Sequence, residues 1–484
     1  MNRRDFLYDC GRLAAGASLV AGPWCRAVGA AESDRAEGER PAPAAGPLRV
    51  HPDNRRYFTD GTGKAVYLTG SHTWSNLVDM GPTDPPEPFD FAACLEWTRR
   101  LGHNFIRGWT WETFNWDVRE NRNTDQNTVF TVAPHPWART GPGQALDGRP
   151  KFDLTQFDPD YFQRLRQRTM AAGRQGIYLS LMLFEGWGMQ FAPGAWRAHP
   201  MHPENNVNGI NGDADGDGNG LEIHALAVPA VTKVQEAYVR KVLDTLNDLD
   251  NVLYEISNEN HPPSTEWQYH MIRHIQQYER GKAKQHPVGM TFQYRGGSNQ
   301  TLFDSPADWI SPNHEGGYRD NPPAADGRKV ILTDTDHLWG IGGNAAWVWK
   351  SFLRGLNPLF MDPYDGVVLG KRFDPQWQPI REALGHTRRL ADRLKLASLQ
   401  PRDALASSGY CLANAARRGA EYLVYLPQGG EVTVDLSATA GELSVEWIRP
   451  ANGAPSRGSP VAGGHPRRLT APFPGDAVLL LRGQ

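Results

Sequence analysis

Between about Arg49 and Leu396, short apolar runs alternate with amphipathic stretches, and this alternation constrains the fold more than any single residue does. The runs are AVYLTGS, FIRGW, IYLSLML, VLYEISN, PVGMTFQ, WISPN, KVILTD and NPLFMD, each of strand length and rich in β-branched or aromatic residues. Among the stretches between them, FDFAACLEWTRRLG, PDYFQRLRQRTMAAGRQG, VTKVQEAYVRKVLDTLND, EWQYHMIRHIQQYERGKA and AAWVWKSFLRGL repeat apolar residues at helical spacing. Near-continuous apolar strands separated by helices belong to a parallel sheet covered on both faces. Eight of them predict an α/β fold, a (β/α)8 TIM barrel, over residues 49–398. Pro312 and Pro358 weaken the sixth and eighth strands, because proline donates nothing to a ladder.

After QWQPIREALGHTRRLADRLK the period shortens. EYLVYLP, EVTVDLS, LSVEWIRP and AVLLLRG, separated by Gly and Pro turns, predict a small antiparallel β-sandwich over residues 399–484. At the other end, Arg3 and Arg4 precede an apolar run from Leu13 to Gly22, with small residues Val28 and Ala30 beyond it. That is the pattern of a twin-arginine-type signal over residues 1–30, which predicts a periplasmic or secreted protein. Residues 31–48 read as a Pro/Ala/Glu linker. No later run has the length of a membrane span. A net charge of −3 gives no electrostatic case for nucleic acid or an anionic membrane surface, and a monomer is expected. Cys10 and Cys25 fall in the signal, and the distant Cys94 and Cys411 are expected as buried thiols rather than a bridge.

A barrel of this kind carries its chemistry at the C-terminal ends of its strands. The fourth strand, NVLYEISNENH, stops on Asn258, Glu259, Asn260 and His261, groups that are costly at a buried strand end unless paired or used. YEISNEN resembles the end of the fourth strand in clan A glycoside hydrolases, barrels of the cellulase-like and apiosidase-like kind. The resemblance implies that Glu259 is the general acid/base and that Asn258 contacts a sugar hydroxyl. It also matches Arg107 in NFIRGW to the arginine that orients a nucleophilic carboxylate in such enzymes. Protonation of a poor leaving group is the chemistry that demands such an acid. A glutamate and an arginine that merely hold the barrel rim by hydrogen bonds are the alternative. His72 and Trp74 in SHTW, and His314 and Tyr318 in SPNHEGGY, fall at strand ends and join the candidate substrate site. The chain has 16 tryptophans, many beside polar groups, and Trp74, Trp109, Trp111, Trp187 and Trp339 are candidate sugar platforms.

The resemblance implies a second carboxylate, a glutamate, at the end of the seventh strand. Here that strand reads KVILTDTDHLWG, a departure from the pattern. By register Asp334 stands in that place, and Asp336, two residues on, points to the same face if the strand continues. Asp334 is therefore the first choice for nucleophile and Asp336 the second, with His337 beside them; a hydrogen-bonded turn capping the next helix is the alternative reading of DTDH. Aspartate is one methylene shorter than glutamate, so an inverting enzyme with a wider gap is an open alternative to a retaining one. A catalytic metal held by Asp334, Asp336 and His337, with His199 and His202, competes, but the paired helical histidines of the common zinc hydrolases are missing.

NGDADGDGNGLE resembles an EF-hand-type loop, with Asn211, Asp213, Asp215, Asp217, Asn219 and Glu222 at the ligand positions and Gly216 at the sharp turn. Asn replaces the usual Asp at its first position, and a solvated acidic turn is the alternative. A structural calcium ion is the expected cofactor, and no organic cofactor is expected. The C-terminal unit is similar to small β-domains, some described as collagen-binding, that follow such barrels in exported bacterial hydrolases. Together these readings predict an exported glycoside hydrolase cleaving O-glycosidic bonds of a polysaccharide or derived oligosaccharide, retaining, with a Glu acid/base and an Asp nucleophile. A non-catalytic carbohydrate-binding barrel is the rival.

Overall fold

All eight apolar runs become strands of one parallel sheet: β1 Gly70–His72, β2 Phe105–Gly108, β3 Tyr178–Glu185, β4 Val252–Asn258, β5 Val288–Thr291, β6 Trp309–Ser311, β7 Val330–Asp334 and β8 Asn357–Met361. The computed structural model describes residues 42–483 apart from 120, 122, 123, 125, 365–367 and 369–374. The expected signal and most of the expected linker lie outside the described residues. Sheet order is β1-β8-β7-β6-β5-β4-β3-β2, every pair parallel. Between β2 and β1 side-chain amides complete the ring. Asn104 Oδ1 accepts from Thr69 N at 3.0 Å, Asn104 N donates to Thr69 O at 3.1 Å, and Asn76 bridges Arg107 O and Trp109 N. The strands approach so closely here that a Cβ on Gly70 would lie 2.0 Å from the Phe105 carbonyl oxygen. Pro358 is accommodated inside β8, where its carbonyl accepts from Thr69 Oγ1 at 2.6 Å, and Pro312 falls one residue past β6.

The helices start where local chemistry dictates. In α1 (Phe91–Leu101) the Asp90 side chain accepts from Ala93 N, and Gly102, at φ 80°, closes the C-terminus. In α2 (Pro159–Arg174) Asp158 caps and Pro159 opens the first turn. Beyond these, α3 (Gly186–Phe191), α4 (Pro229–Leu246), α5 (Thr265–Glu279), α6 (Asn299–Asp304), α7 (Ala345–Leu353) and α8 (Gln378–Ala391) complete the set used below. The apolar runs of α4, α5 and α7 face the sheet, with Val239, Val242, Ile272, Ile275, Val348 and Phe352 fully buried. Inside the sheet, Gly289 leaves room for the Trp309 indole, which a Cβ there would meet at 1.9 Å.

Two excursions rise above the strand ends. One follows β3 and carries the acidic loop. The other, after β2, had no sequence signal strong enough to be read: residues 115–117, 129–133 and 79–81 form a three-stranded antiparallel sheet, and residues 137–144 pair with 150–157 as a hairpin.

The C-terminal unit is antiparallel, a six-stranded sheet with a two-stranded one beside it. Its strand Glu421–Leu426 is buried at every position because both faces are covered. Leu423 and Tyr425 join the core of the barrel, while Tyr422, Val424 and Leu426 join the unit's own core, the period-2 division that a strand requires. Trp349 of α7 stacks on Tyr425, ring centroids 6.3 Å apart, and Arg354 Nη1 pairs with Asp403 at 2.8 Å. Cys94 and Cys411 are both buried and form no bridge with each other. No described helix is long and apolar enough to cross a membrane.

Because Trp349 is fully buried between the barrel and the C-terminal sheet, Trp349→Ala is expected to destabilise the fold by about 3–5 kcal/mol. Urea unfolding followed by fluorescence should show the midpoint lowered accordingly; an unchanged midpoint would contradict the shared core.

Candidate active site

Strand β4 is buried from Val252 to Asn258, and the chain then turns sharply. Glu259 adopts φ 43°, a left-handed conformation that costs a non-glycine residue free energy and recurs where geometry serves a site. The turn is held by Asn260 Nδ2 donating to Ser257 Oγ at 2.9 Å and Gln190 Nε2 of α3 donating to Glu259 O at 2.8 Å. His261 Nε2 lies 3.0 Å from Leu221 O. Thus the amides and the imidazole at the end of this strand have partners, whereas the Glu259 carboxyl has no hydrogen-bond partner among the described residues and faces a cavity.

Behind Glu259 lies Arg107, at the third position of β2 and 2% exposed. Its Nε and Nη2 grip Glu255 of β4 in a bidentate pair, Nε to Oε2 at 3.0 Å and Nη2 to Oε1 at 2.5 Å. Nη1 reaches Asp334 Oδ2 at 3.1 Å and Asp336 Oδ2 at 3.2 Å, and Nη2 also donates to Asn258 Oδ1 at 2.7 Å. Burial alone would lower this guanidinium's pKa, but Glu255, Asp334 and Asp336 overcome it and hold the charge firmly in place.

The two aspartates have separate surroundings. Strand β7 ends at Asp334, and a turn follows in which His337 N donates to Asp334 O and Trp339 N to Thr335 O. Asp336 therefore rides on a turn, not on a continuing strand, and extends farther out. Asp334 is wholly buried. It accepts from His72 Nε2 at 2.9–3.0 Å, from Arg107, and from Asp336 N at 3.0 Å. Burial would raise its pKa, yet His72 and then Arg107 hold it well below the usual carboxylate range. Asp336 keeps 9% of its surface exposed, as does Glu259. Burial pushes the Asp336 carboxyl up to about 6, against the pull of Arg107 and with the push of Asp334. Glu259 is raised well above the usual range, first by burial and then by the charges of Asp336 and Glu185.

The cavity has a volume of about 640 Å³ and is walled by Glu259 and Asp336 together with Trp74, Trp187, Trp339, His314 and His337. Asp334 does not reach it, so the sequence-based preference for Asp334 over Asp336 reverses on accessibility. Burial lowers His337 to about 3, which makes it a neutral imidazole. Its Nε2 is 3.3 Å from Asn258 Oδ1 and its Nδ1 2.7 Å from Ser311 Oγ, so Nε2 carries the proton toward the amide oxygen. Six expected contacts lie elsewhere. Arg107, His72 and Asn258 are buried in the network behind the wall. Trp109 is 1% exposed, sandwiched by His72 and the Arg107 guanidinium, and Trp111 is packed against Trp74 and Trp116 with its indole N–H on Thr113. Tyr318 is buried off the cavity, its carbonyl accepting from Trp347 Nε1.

Sequence reasoning missed two further carboxyl groups. Glu185, the last residue of β3, caps α3 by accepting from Trp187 N and Gly188 N, and burial raises it to about 8. Glu112 accepts from Glu185 N at 2.8 Å and sits between His199 Nε2 at 3.3 Å and His224 Nε2 at 3.0 Å; burial is overcome by His224 and His199, and its carboxyl falls to about 2. His199 is thereby engaged with a carboxylate rather than with a metal centre.

In the acidic loop, carboxylate oxygens of Asp213, Asp215 and Glu222 lie within 4.8 Å of one another, the one such group of His, Cys, Asp or Glu residues among the described residues. A divalent cation could be held there. Asp217 does not converge: it accepts from Asn219 N and Nδ2, while Asn211 Oδ1 accepts from Asp213 N. Gly216, at φ 76°, makes the expected sharp turn. Glu222 Oε2 is a buried oxygen with no protein partner, and burial followed by the charges of Asp215, Asp217 and Asp213 raises that carboxyl.

Residues 111–294 match a family described as "Domain of unknown function (DUF6298)". No curated protein matches the sequence. In fold, the chain is similar to a glycoside hydrolase family 5 protein from Bacteroides vulgatus, with TM-score 0.58, 12% identity, and coverage of 90% of this chain and 94% of that one. A structure described as "Glycoside hydrolase" aligns with TM-score 0.57 and 12% identity over 91% of this chain and 97% of the other. At such identity the likeness is one of fold.

The Asp336 carboxyl binds its proton more tightly in the folded chain, at about 6, than at its ordinary 3.8. Its contribution to stability is thus greatest below about pH 4 and falls as pH rises through about 6. Asp336→Asn is expected to stabilise the protein at pH 7.5 by about 1–2 kcal/mol relative to its effect at pH 4. Denaturant unfolding at both pH values measures this, and an equal effect at the two would contradict the raised proton affinity.

Proposed function

We propose that this protein hydrolyses O-glycosidic bonds, with Glu259 as general acid/base and Asp336 as nucleophile, retaining the configuration of the anomeric carbon. The observation that carries the reading is that Glu259 and Asp336 open into one cavity, while Asp334 is sealed behind them. Asp336 is also the charge that most raises Glu259, the relation expected of two carboxyl groups close enough to share one bond. Glu259, neutral by virtue of burial, would protonate the glycosidic oxygen as the Asp336 carboxylate attacks the anomeric carbon. The resulting glycosyl ester would be hydrolysed by water that gives its proton to Glu259. Arg107 Nη1 holds Asp336, and Asp334 holds both Arg107 and the turn that carries Asp336. Asn258, its oxygen fixed by Arg107 and His337 and its side chain also bonded to Glu185, would steady the strand end beneath the acid. Trp74, Trp187 and Trp339 supply apolar faces for sugar rings. The fold likeness to glycoside hydrolases agrees with this assignment.

We infer further that the acidic loop takes a structural calcium ion on Asp213, Asp215 and Glu222. The unpartnered Glu222 oxygen and the mutual repulsion of the three carboxylates suit a hard cation. The ion would brace the excursion after β3, and no chemical step passes through it. The twin-arginine pattern supports action outside the cytoplasm, where calcium is available.

On a panel of oligosaccharides, Glu259→Gln and Asp336→Asn are each expected to lower kcat by about 100- to 10,000-fold, with azide rescuing the latter as a glycosyl azide. The kcat/KM profile should rise through about pH 6 as Asp336 ionises and fall at higher pH as Glu259 loses its proton. Undiminished turnover by Glu259→Gln would defeat the assignment, and NMR of the first-formed anomer would expose inversion. Separately, EGTA is expected to lower the melting temperature of the parent by about 1–2 °C, what the loss of about 1–2 kcal/mol brings in a chain of this size. The Asp213→Asn, Asp215→Asn double variant should melt at the same temperature with or without calcium; a parent indifferent to calcium would end that part of the reading.

A further inference from the structure

We propose that the cavity selects saccharides bearing a negative charge, a carboxylate or a sulfate ester, and that Arg295 and Arg319 read that charge. The inference deepens the hydrolase reading and rests on it. Both arginines line the same cavity as Glu259 and Asp336, Arg295 from the chain following β5 and Arg319 from the chain following β6. They are the only Lys or Arg side chains on its wall among the described residues.

Their surroundings hold them without neutralising them. The Arg295 guanidinium lies 5.3 Å from the Phe191 ring centroid and 5.5 Å from that of Tyr294, and its Nε donates to the Tyr294 hydroxyl at 3.3 Å. Arg319 lies 5.7 Å from the Trp339 ring. An aromatic face restrains a guanidinium yet leaves the donors on its edge free for an anion. Neither side chain has a carboxylate within ion-pair distance among the described residues, in contrast to Arg107, which has three. Glu315, the remaining acidic group on the wall, accepts from Asn299 N instead.

The bland alternative is a pair of surface arginines extended into water. The charge balance of the wall argues against it. On the hydrolase reading Glu259 carries its proton, and Glu315 is engaged by Asn299 N, so an anion beside the two arginines is opposed chiefly by Asp336. A planar fork matched to two oxygens is the group that recognises a carboxylate or sulfate. Trp74 and Trp187 lie toward the β1 and β3 side and the arginines toward β5 and β6, so the charged sugar would occupy the latter half of the cavity.

The test is calorimetric binding to the Glu259→Gln protein, which separates recognition from cleavage. One arm compares an oligogalacturonide with its carboxyl-reduced, neutral counterpart, and the other a sulfated oligosaccharide with its desulfated parent. In one arm the charged ligand is expected to bind at least about tenfold tighter at about 0.05 M salt, with the margin shrinking at about 0.5 M. That arm identifies carboxylate or sulfate. Arg295→Ala and Arg319→Ala, added singly, should each reduce the margin by about fivefold, with unchanged melting because both side chains are exposed. The proposal is overturned if neutral ligands bind as tightly as charged ones in both arms, if no charged ligand binds, or if both alanine variants keep the margin. Active parent that cleaves only neutral glycans would remove this inference and leave the hydrolase reading intact. Arginine-dependent binding with no cleavage by the parent would do the reverse.

Discussion

One buried guanidinium organises the end of this barrel. Arg107 joins β2 to Glu255 on β4, to Asp334 on β7 and to Asp336 just beyond it. Three carboxylates around one cation would be prohibitive in an apolar interior if each stood alone, since removing an ion from water costs several kcal/mol even after relaxation. The bidentate pair with Glu255 and the amide oxygen of Asn258 fix the guanidinium plane, and the stack on Trp109 closes its open face. What remains of its donor capacity, Nη1, is shared between two aspartates. That sharing makes them unequal. Asp334 adds His72 and a backbone N–H to its half and ionises readily; Asp336 has only the shared bond and a view of the cavity, and resists ionising. Two identical side chains two residues apart thus acquire opposite proton affinities from their neighbours alone.

A second network stands behind the β3 and β4 ends. Glu112 holds His199 and His224 and accepts the Glu185 N–H, Glu185 caps α3, and α3 places Trp187 on the cavity wall and Gln190 on the Glu259 carbonyl. Leu221, whose carbonyl meets His261, is the neighbour of Glu222 in the acidic loop. The loop is therefore tied to the end of β4 through His261, and to Glu112 and the end of β3 through His224. A cation in the loop would stiffen a segment already tied to the acid, and so act on position rather than on charge.

Much of this was legible in the sequence, and the failures have physical causes. Eight strands emerged because parallel strands buried on both faces read as apolar runs, and the Asn258–Glu259 pair emerged because polar groups ended such a run. Glu255 carried the same signal and went unread: an acid at the middle of VLYEISN requires a buried cation, and Arg107 in FIRGW is the matching oddity on another strand. The expectation that Asp336 shares the face of Asp334 required the strand to continue, whereas the strand ends at Asp334 and a turn follows from Thr335. Tryptophans beside polar residues could not be divided into platforms and packing, because Trp74 and Trp109 have similar local sequences and only the fold puts one on the wall and the other behind it. In the antiparallel excursion after β2, one pairing, of residues 129–133 with 79–81 from before β2, is a long-range choice that local pattern does not encode.

Glu255 in the middle of β4 and Glu259 just past its end lie four residues apart, and their contrast bears on whether the site is structural. Glu255 has what a buried carboxylate needs in order to stabilise a fold, a bidentate cation within hydrogen-bond reach. Glu259 has the opposite on every count: a left-handed backbone, no hydrogen-bond partner for its carboxyl among the described residues, and neighbouring acids that discourage its ionisation. Such a residue weakens the fold at each of those points and holds nothing in place in return. A rim glutamate with a structural duty would be drawn toward Arg107, which lies close enough to act on it electrostatically yet is saturated by other acids. The arrangement instead keeps a proton on an acid at the mouth of a cavity, beside a second acid poised to lose its own near pH 6.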